Sequence, residues 1–165
     1  MKTNNITKYP YLKATLFCTG LGGTGKTSTE AKIIAGDGSE AWITGPRQSQ
    51  IDNLKKSLPS STGMTLEELL KKMVDDDTYS DFMTDVRENK ENGKYVTKSN
   101  VRGDALKIPV LKTDQLKFRE YNGDKELPKY IVIDEVTHIP APVLLLIDEF
   151  CQRNGITVLA LGDKT

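Results

Sequence analysis

The chain has 165 residues, 37% apolar and 28% charged, the balance of one folded α/β-sized domain rather than of a disordered or membrane-embedded chain. Its 23 basic residues offset 23 acidic ones, so no global positive field announces a nucleic-acid partner, and only local patches stay open. No apolar run reaches bilayer length and no leader-like segment opens the chain, so the expectation is a single cytoplasmic domain spanning residues 1–165 without membrane contact.

In chain order, "LKATLFCTG" (Leu12 to Gly20) is a short apolar run closing on glycine, which predicts a buried strand feeding a loop. A helix from about Gly25 to Ala35 follows and stops at Gly36, as a glycine C-cap would stop it. "EAWITG" reads as a second strand, and "RQSQIDNLKKSL" as a helix with Ile51, Leu54 and Leu58 on one face. "TLEELLKKMV" is a further helix, whereas "DDDTYSDFMTDVRENKENGK" is acidic and reads as mostly solvated chain. "LKFREYNGDKELPKYIVI" suggests a hairpin turning at Asn122 and Gly123. Residues 60–127 thus read as a decorated connection between two core strands, since a plain loop that long would be unusual. "KYIVIDE" is apolar up to its two acids, the pattern of a strand covered on both faces in a parallel sheet. "APVLLLIDEFCQRNG" then predicts a helix presenting Val143, Leu144, Ile147, Phe150 and Cys151 to that sheet and ending at Gly155, and "ITVLALGD" returns as a fourth strand. Cys18 and Cys151 lack metal-ligand spacing and read as buried reduced thiols rather than a disulfide or a zinc site.

Three stretches carry chemistry. From Gly20 to Thr27 the chain satisfies G-x-x-x-x-G-K-[ST] between a strand and a helix, the setting in which a glycine-rich loop turns its amides inward around phosphates. Gly20, Gly22, Gly23, Thr24, Gly25, Lys26, Thr27 and Ser28 form the expected nucleotide-binding set, with Lys26 reaching the β and γ phosphates and the Thr27 hydroxyl on magnesium. In "IVIDEVTH", Asp134 is placed at a strand tip to hold magnesium through water. Glu135 stands where hydrolases keep a base to polarise the attacking water, a group that simple nucleotide kinases do not need. Lys26 and Glu135 are therefore the expected catalytic pair. His138, the single histidine, is expected to be structural. In "VLALGDKT", Gly162 permits a tight strand exit, and Asp163 emerges at the same C-terminal edge as the phosphate loop, joining the nucleotide-binding set.

Taken in order, "GLGGTGKTS", "WITGPRQSQ", "MTLEELL", "IVIDEV" and "VLALGD" resemble motifs I, Ia, the threonine-containing segment, II and III of the first RecA-like domain of superfamily 1 helicases. The resemblance runs from Leu12 nearly to the end and implies a three-layer α/β P-loop NTPase sandwich around a central parallel sheet, with ATP and Mg2+ as cofactors. It also implies contacts to single-stranded DNA or RNA through Thr44, Pro46, Arg47 and Thr65, and a coupling role for Asp163. Motif Ia here reads Pro46-Arg47, where the family usually has proline-threonine, and Glu67 follows where a histidine is common. Arg47 is open to two readings, a phosphate contact or an exposed helix start. No adenine-reading glutamine element precedes the loop, so adenine specificity comes from the resemblance alone.

The glutamine that normally closes motif III falls due where the sequence stops. The expectation is therefore an N-terminal piece of a longer protein, its sandwich incomplete at the C-terminal end and lacking the second RecA-like domain with its arginine finger. Such a piece is expected to bind ATP with magnesium and to hydrolyse it slowly. Three classes stand at this point. They are an ATP-driven motor on single strands, a phosphate-loop ATPase switch acting on protein partners, and a nucleoside kinase.

Overall fold

The computed structural model describes residues 6–9, 12–20, 26–92, 96–99, 105–108, 116–122 and 126–163. Strands β1 (Ile6–Tyr9) and β2 (Leu12–Gly20) lead to helix α1 (Lys26–Ala35), then β3 (Ala41–Thr44), α2 (Gln48–Ser57), β4 (Thr62–Gly63), α3 (Leu66–Met73) and α4 (Asp76–Asn92). A small antiparallel pair, β5 (Val96–Ser99) and β6 (Ala105–Ile108), precedes β7 (Tyr130–Ile133), α5 (Ala141–Asn154) and β8 (Thr157–Asp163). The main sheet runs β1-β2-β8-β7-β3-β4. Its five strands from β2 to β4 are all parallel, and β1 joins the edge antiparallel.

The continuous apolar run of β7 is explained by helices on both faces. Ile131 and Ile133 turn to one side, where α3, α4 and α5 supply Leu69, Leu70, Met73, Phe82, Leu146, Ile147 and Phe150. Val132 turns to the other and meets Ala31 of α1 and Ile51 and Leu54 of α2. Each such fully buried side chain stabilises the fold by about 1.5–3 kcal/mol relative to exposure. Phe150 is flanked by Phe118 and Tyr121, both with ring centroids at 6.1 Å. Gly36 and Gly155 close α1 and α5 at φ 64° and 68°, the left-handed C-cap that only glycine adopts without cost.

Several expectations change. The acidic stretch after Val74 is not solvated chain but the helix α4, because Tyr79, Phe82, Met83 and Val86 form a helical stripe that packs on the core. The Asp75 carboxylate opens it by accepting the Thr78 backbone N–H at 2.8 Å. Among the described residues no hairpin joins residues 116–122 to β7. Both sides of β7 are taken by β3 and β8, and the chain around Phe118 pairs with Val74 instead, with Arg119 N–H on the Met73 carbonyl at 2.8 Å. Gly123, half of the expected turn, lies outside the described residues. In α5, Leu146 is fully buried while Leu144 is only partly covered.

Among the described residues no helix is long and apolar enough to cross a membrane. The architecture is α/β, an all-parallel five-strand sheet between helical layers, compatible with a RecA-like or Rossmann-type sandwich.

Candidate functional site

The C-terminal ends of the parallel strands share one edge. Gly20 at the end of β2 is level with Asp163 of β8, and Ile133 of β7 is level with both Ala160 and Thr44. Asp134 and Glu135 therefore leave the sheet two strands away from Gly20, roughly 10 Å at ordinary strand spacing. Lys26, Thr27 and Ser28 form the first turn of α1, which packs beside β2 and β8. Gly22, Gly23, Thr24 and Gly25 lie outside the described residues.

Asp134 is half-buried. Its backbone N–H donates to the Thr44 carbonyl at 3.0 Å, and its Oδ1 accepts the Glu135 N–H at 2.8 Å. The exit loop of β3 comes close beside it: a Cβ added at Gly45 would stand 3.1 Å from Gln50 Cβ and 3.7 Å from Asp134 Cβ. Gln50, itself 7% exposed, accepts the Arg47 N–H on Oε1 at 2.9 Å. Gly45 and Gln50 thus hold the loop against Asp134, and neither was singled out from the sequence. The signal available was a glycine directly after a strand and a glutamine at the third position of the next helix.

Glu135 has φ 46° and ψ 51° and is the one non-glycine residue with positive φ among those described. A left-handed glutamate is strained by roughly 1–3 kcal/mol, and such outliers cluster where function requires them. It caps a 3-10 turn, Val136–His138. The turn rests on β8, since a Cβ at Gly162 would lie 3.2 Å from Val136 Cγ1. Gly162 is accordingly a point of close approach within a strand that runs on to Asp163, not a strand exit.

The expected nucleic-acid contacts occupy varied positions. Thr44 is fully buried, and its hydroxyl has no hydrogen-bond partner among the described residues. In this arrangement it offers an external strand no surface. Pro46 is half-buried, and Arg47 is exposed at the start of α2. Thr65 is exposed but committed to capping α3, its Oγ1 accepting the Glu68 N–H at 3.1 Å while Glu68 Oε1 accepts the Thr65 N–H at 3.3 Å.

No group of three or more His, Cys, Asp or Glu suited to a metal occurs among the described residues. Both cysteines are buried and neither is in a disulfide. Burial, and after it the Asp148 charge, pushes the Cys151 thiol well above its ordinary range, which makes it a packing group rather than a nucleophile. A cleft of about 690 Å³ opens at the opposite, N-terminal edge of the sheet, beside Glu40, Trp42, Glu126, Lys129 and Asn154. A scan against protein-family models finds no match to this chain, and no curated protein matches it.

Proposed function

We propose that the chain binds ATP across the C-terminal ends of β2, β8 and β7 and hydrolyses it, as the first RecA-like domain of a superfamily 1 helicase whose cycle moves single-stranded DNA or RNA. The observation that carries the reading is Glu135, strained and 44% exposed directly after Asp134, on the edge where β2 ends and α1 begins. The loop from Gly20 to Thr27 would wrap the phosphates, with Lys26 supplying a charge-assisted contact. Asp163, level with Gly20, would stand between the loop and the Asp134–Glu135 pair. Glu135 would orient the water for in-line attack.

Magnesium is held in such sites by one or two oxygen ligands besides substrate phosphates and waters, and it neutralises charge on the transferring phosphate. The residues fit that demand. Asp134 offers a carboxylate that accepts the Glu135 N–H, and Thr27 stands in the first turn of α1.

A second reading, an ATPase switch that acts on a protein partner, gains weight from the burial of Thr44 and the capping duty of Thr65, since both remove expected strand contacts. Steady-state hydrolysis by the intact protein, with and without a single-stranded oligonucleotide, separates the two. Strand-stimulated turnover that Glu135→Gln abolishes supports the motor. Turnover indifferent to any strand supports the switch, and no turnover at all removes both.

A further inference from the structure

We propose that His138 is a positioning residue for Glu135, fixing the orientation of its carboxylate in the ATPase site; this inference rests on the hydrolytic reading above. The two residues are tied through the backbone. His138 N–H donates to the Glu135 carbonyl at 3.0 Å and Ile139 N–H to the Val136 carbonyl at 3.1 Å, so Glu135, the left-handed N-cap of the turn, and His138, its last residue, are closed into one turn. Val136 and Ile139 are buried beneath and anchor the turn. This places His138 Nδ1 3.7 Å from Glu135 Oε2. That separation is longer than a hydrogen bond and within reach of an electrostatic contact.

The pair has little reason to exist for stability. His138 and Glu135 side chains are 57% and 44% exposed, and ion pairs that open to water contribute little to folding. A half-exposed glutamate, however, samples several rotamers, and each unproductive one removes the base from the water it must polarise. An imidazole at this distance biases that sampling toward the rotamer that faces it. The left-handed backbone at Glu135 sets the direction from which the side chain departs, and His138 sets where it ends.

The test is steady-state ATP hydrolysis by the intact protein carrying His138→Ala, His138→Asn, Glu135→Gln, and His138→Ala together with Glu135→Gln. Asparagine keeps an N–H donor near the place of Nδ1. His138→Ala is expected to lower kcat about fivefold, the most that an exposed pair of this kind supplies, with KM unchanged. His138→Asn should restore most of that loss, and adding His138→Ala to Glu135→Gln should change nothing further. Turnover of His138→Ala within about twofold of wild type, or a loss confined to KM, overturns the positioning role and leaves the hydrolytic reading standing. A wild-type protein without turnover overturns the hydrolytic reading, and this inference with it.

Discussion

Glu135 takes a left-handed backbone with a side chain that, unlike asparagine or aspartate, gains no short local hydrogen bond there. The strain persists because the turn after it is over-determined. Val136 is wedged against Gly162, Ile139 is buried, and Asp134 grips the Glu135 N–H. Replacing Glu135 by glycine relieves about 1–2 kcal/mol of left-handed strain and returns part of it as lost unfolded-state restriction. Glu135→Gly should accordingly stabilise the protein by about 0.5–1 kcal/mol in urea unfolding while abolishing the proposed hydrolysis. A destabilised variant would show that the backbone here is not strained. Thr44, with its unpartnered hydroxyl, is a milder case; a buried hydroxyl without a partner weakens the fold unless a water reaches it.

Between elements, the least expected device is Asp148. It is 1% exposed on α5, yet its Oδ1 accepts the Ala14 N–H at 2.9 Å and the Thr15 hydroxyl at 2.7 Å, and its Oδ2 accepts from Gln152 Nε2 at 2.6 Å. Ala14 and Thr15 lie where the pairing of β1 with β2 shifts register, so the carboxylate ties the helix to the strand that ends at Gly20. Asp148→Ala leaves the strand N–H and the hydroxyl unsatisfied and should cost about 2–5 kcal/mol by chemical denaturation. A loss below about 1 kcal/mol would mean water takes over both donors. At the start of α4, the Thr78 side chain and backbone hold the Asp75 carboxyl below the ordinary carboxylate range. A depressed folded pKa means stability that is present above the unfolded value and is lost as pH falls through the folded one. Asp75→Asn should therefore flatten the acid limb of the stability curve below about pH 4 and leave the neutral limb parallel to wild type. An acid limb unchanged by the substitution would assign acid sensitivity elsewhere.

For the molecule as a whole, the strand order brings distant segments to one edge. With β8 between β2 and β7, residues 20, 134 and 163 all lie toward the C-terminal side of the sheet, residue 134 two strands from residue 20, the usual side for a ligand in an open parallel sheet. Ligand linkage then gives a direct check on the proposed nucleotide. ATP with magnesium at about a hundred times its dissociation constant should stabilise the wild type and Glu135→Gln by about 2.7 kcal/mol, seen as a raised Tm, and should not stabilise Lys26→Ala at the same concentration. Equal shifts in all three would remove the phosphate loop from the binding site. Much of this was legible in the sequence by itself. The strand from Leu12 to Gly20, the helices closed by Gly36 and Gly155, and the both-faces burial of β7 follow from local propensity and apolar period, which are written residue by residue. Helix α4 was hidden by its charge. Its four apolar residues bury only because the α3–α5 face is there to receive them. The Val74–Phe118 bridge, the close approaches at Gly45 and Gly162, the buried Asp148 and the Glu135–His138 pair all depend on segments far apart in the chain or on backbone angles. Residue order determined which groups were available for the proposed phosphate chemistry; three-dimensional packing alone decided which were buried, which were strained and which faced one another, because those relations are set by partners the local sequence does not contain.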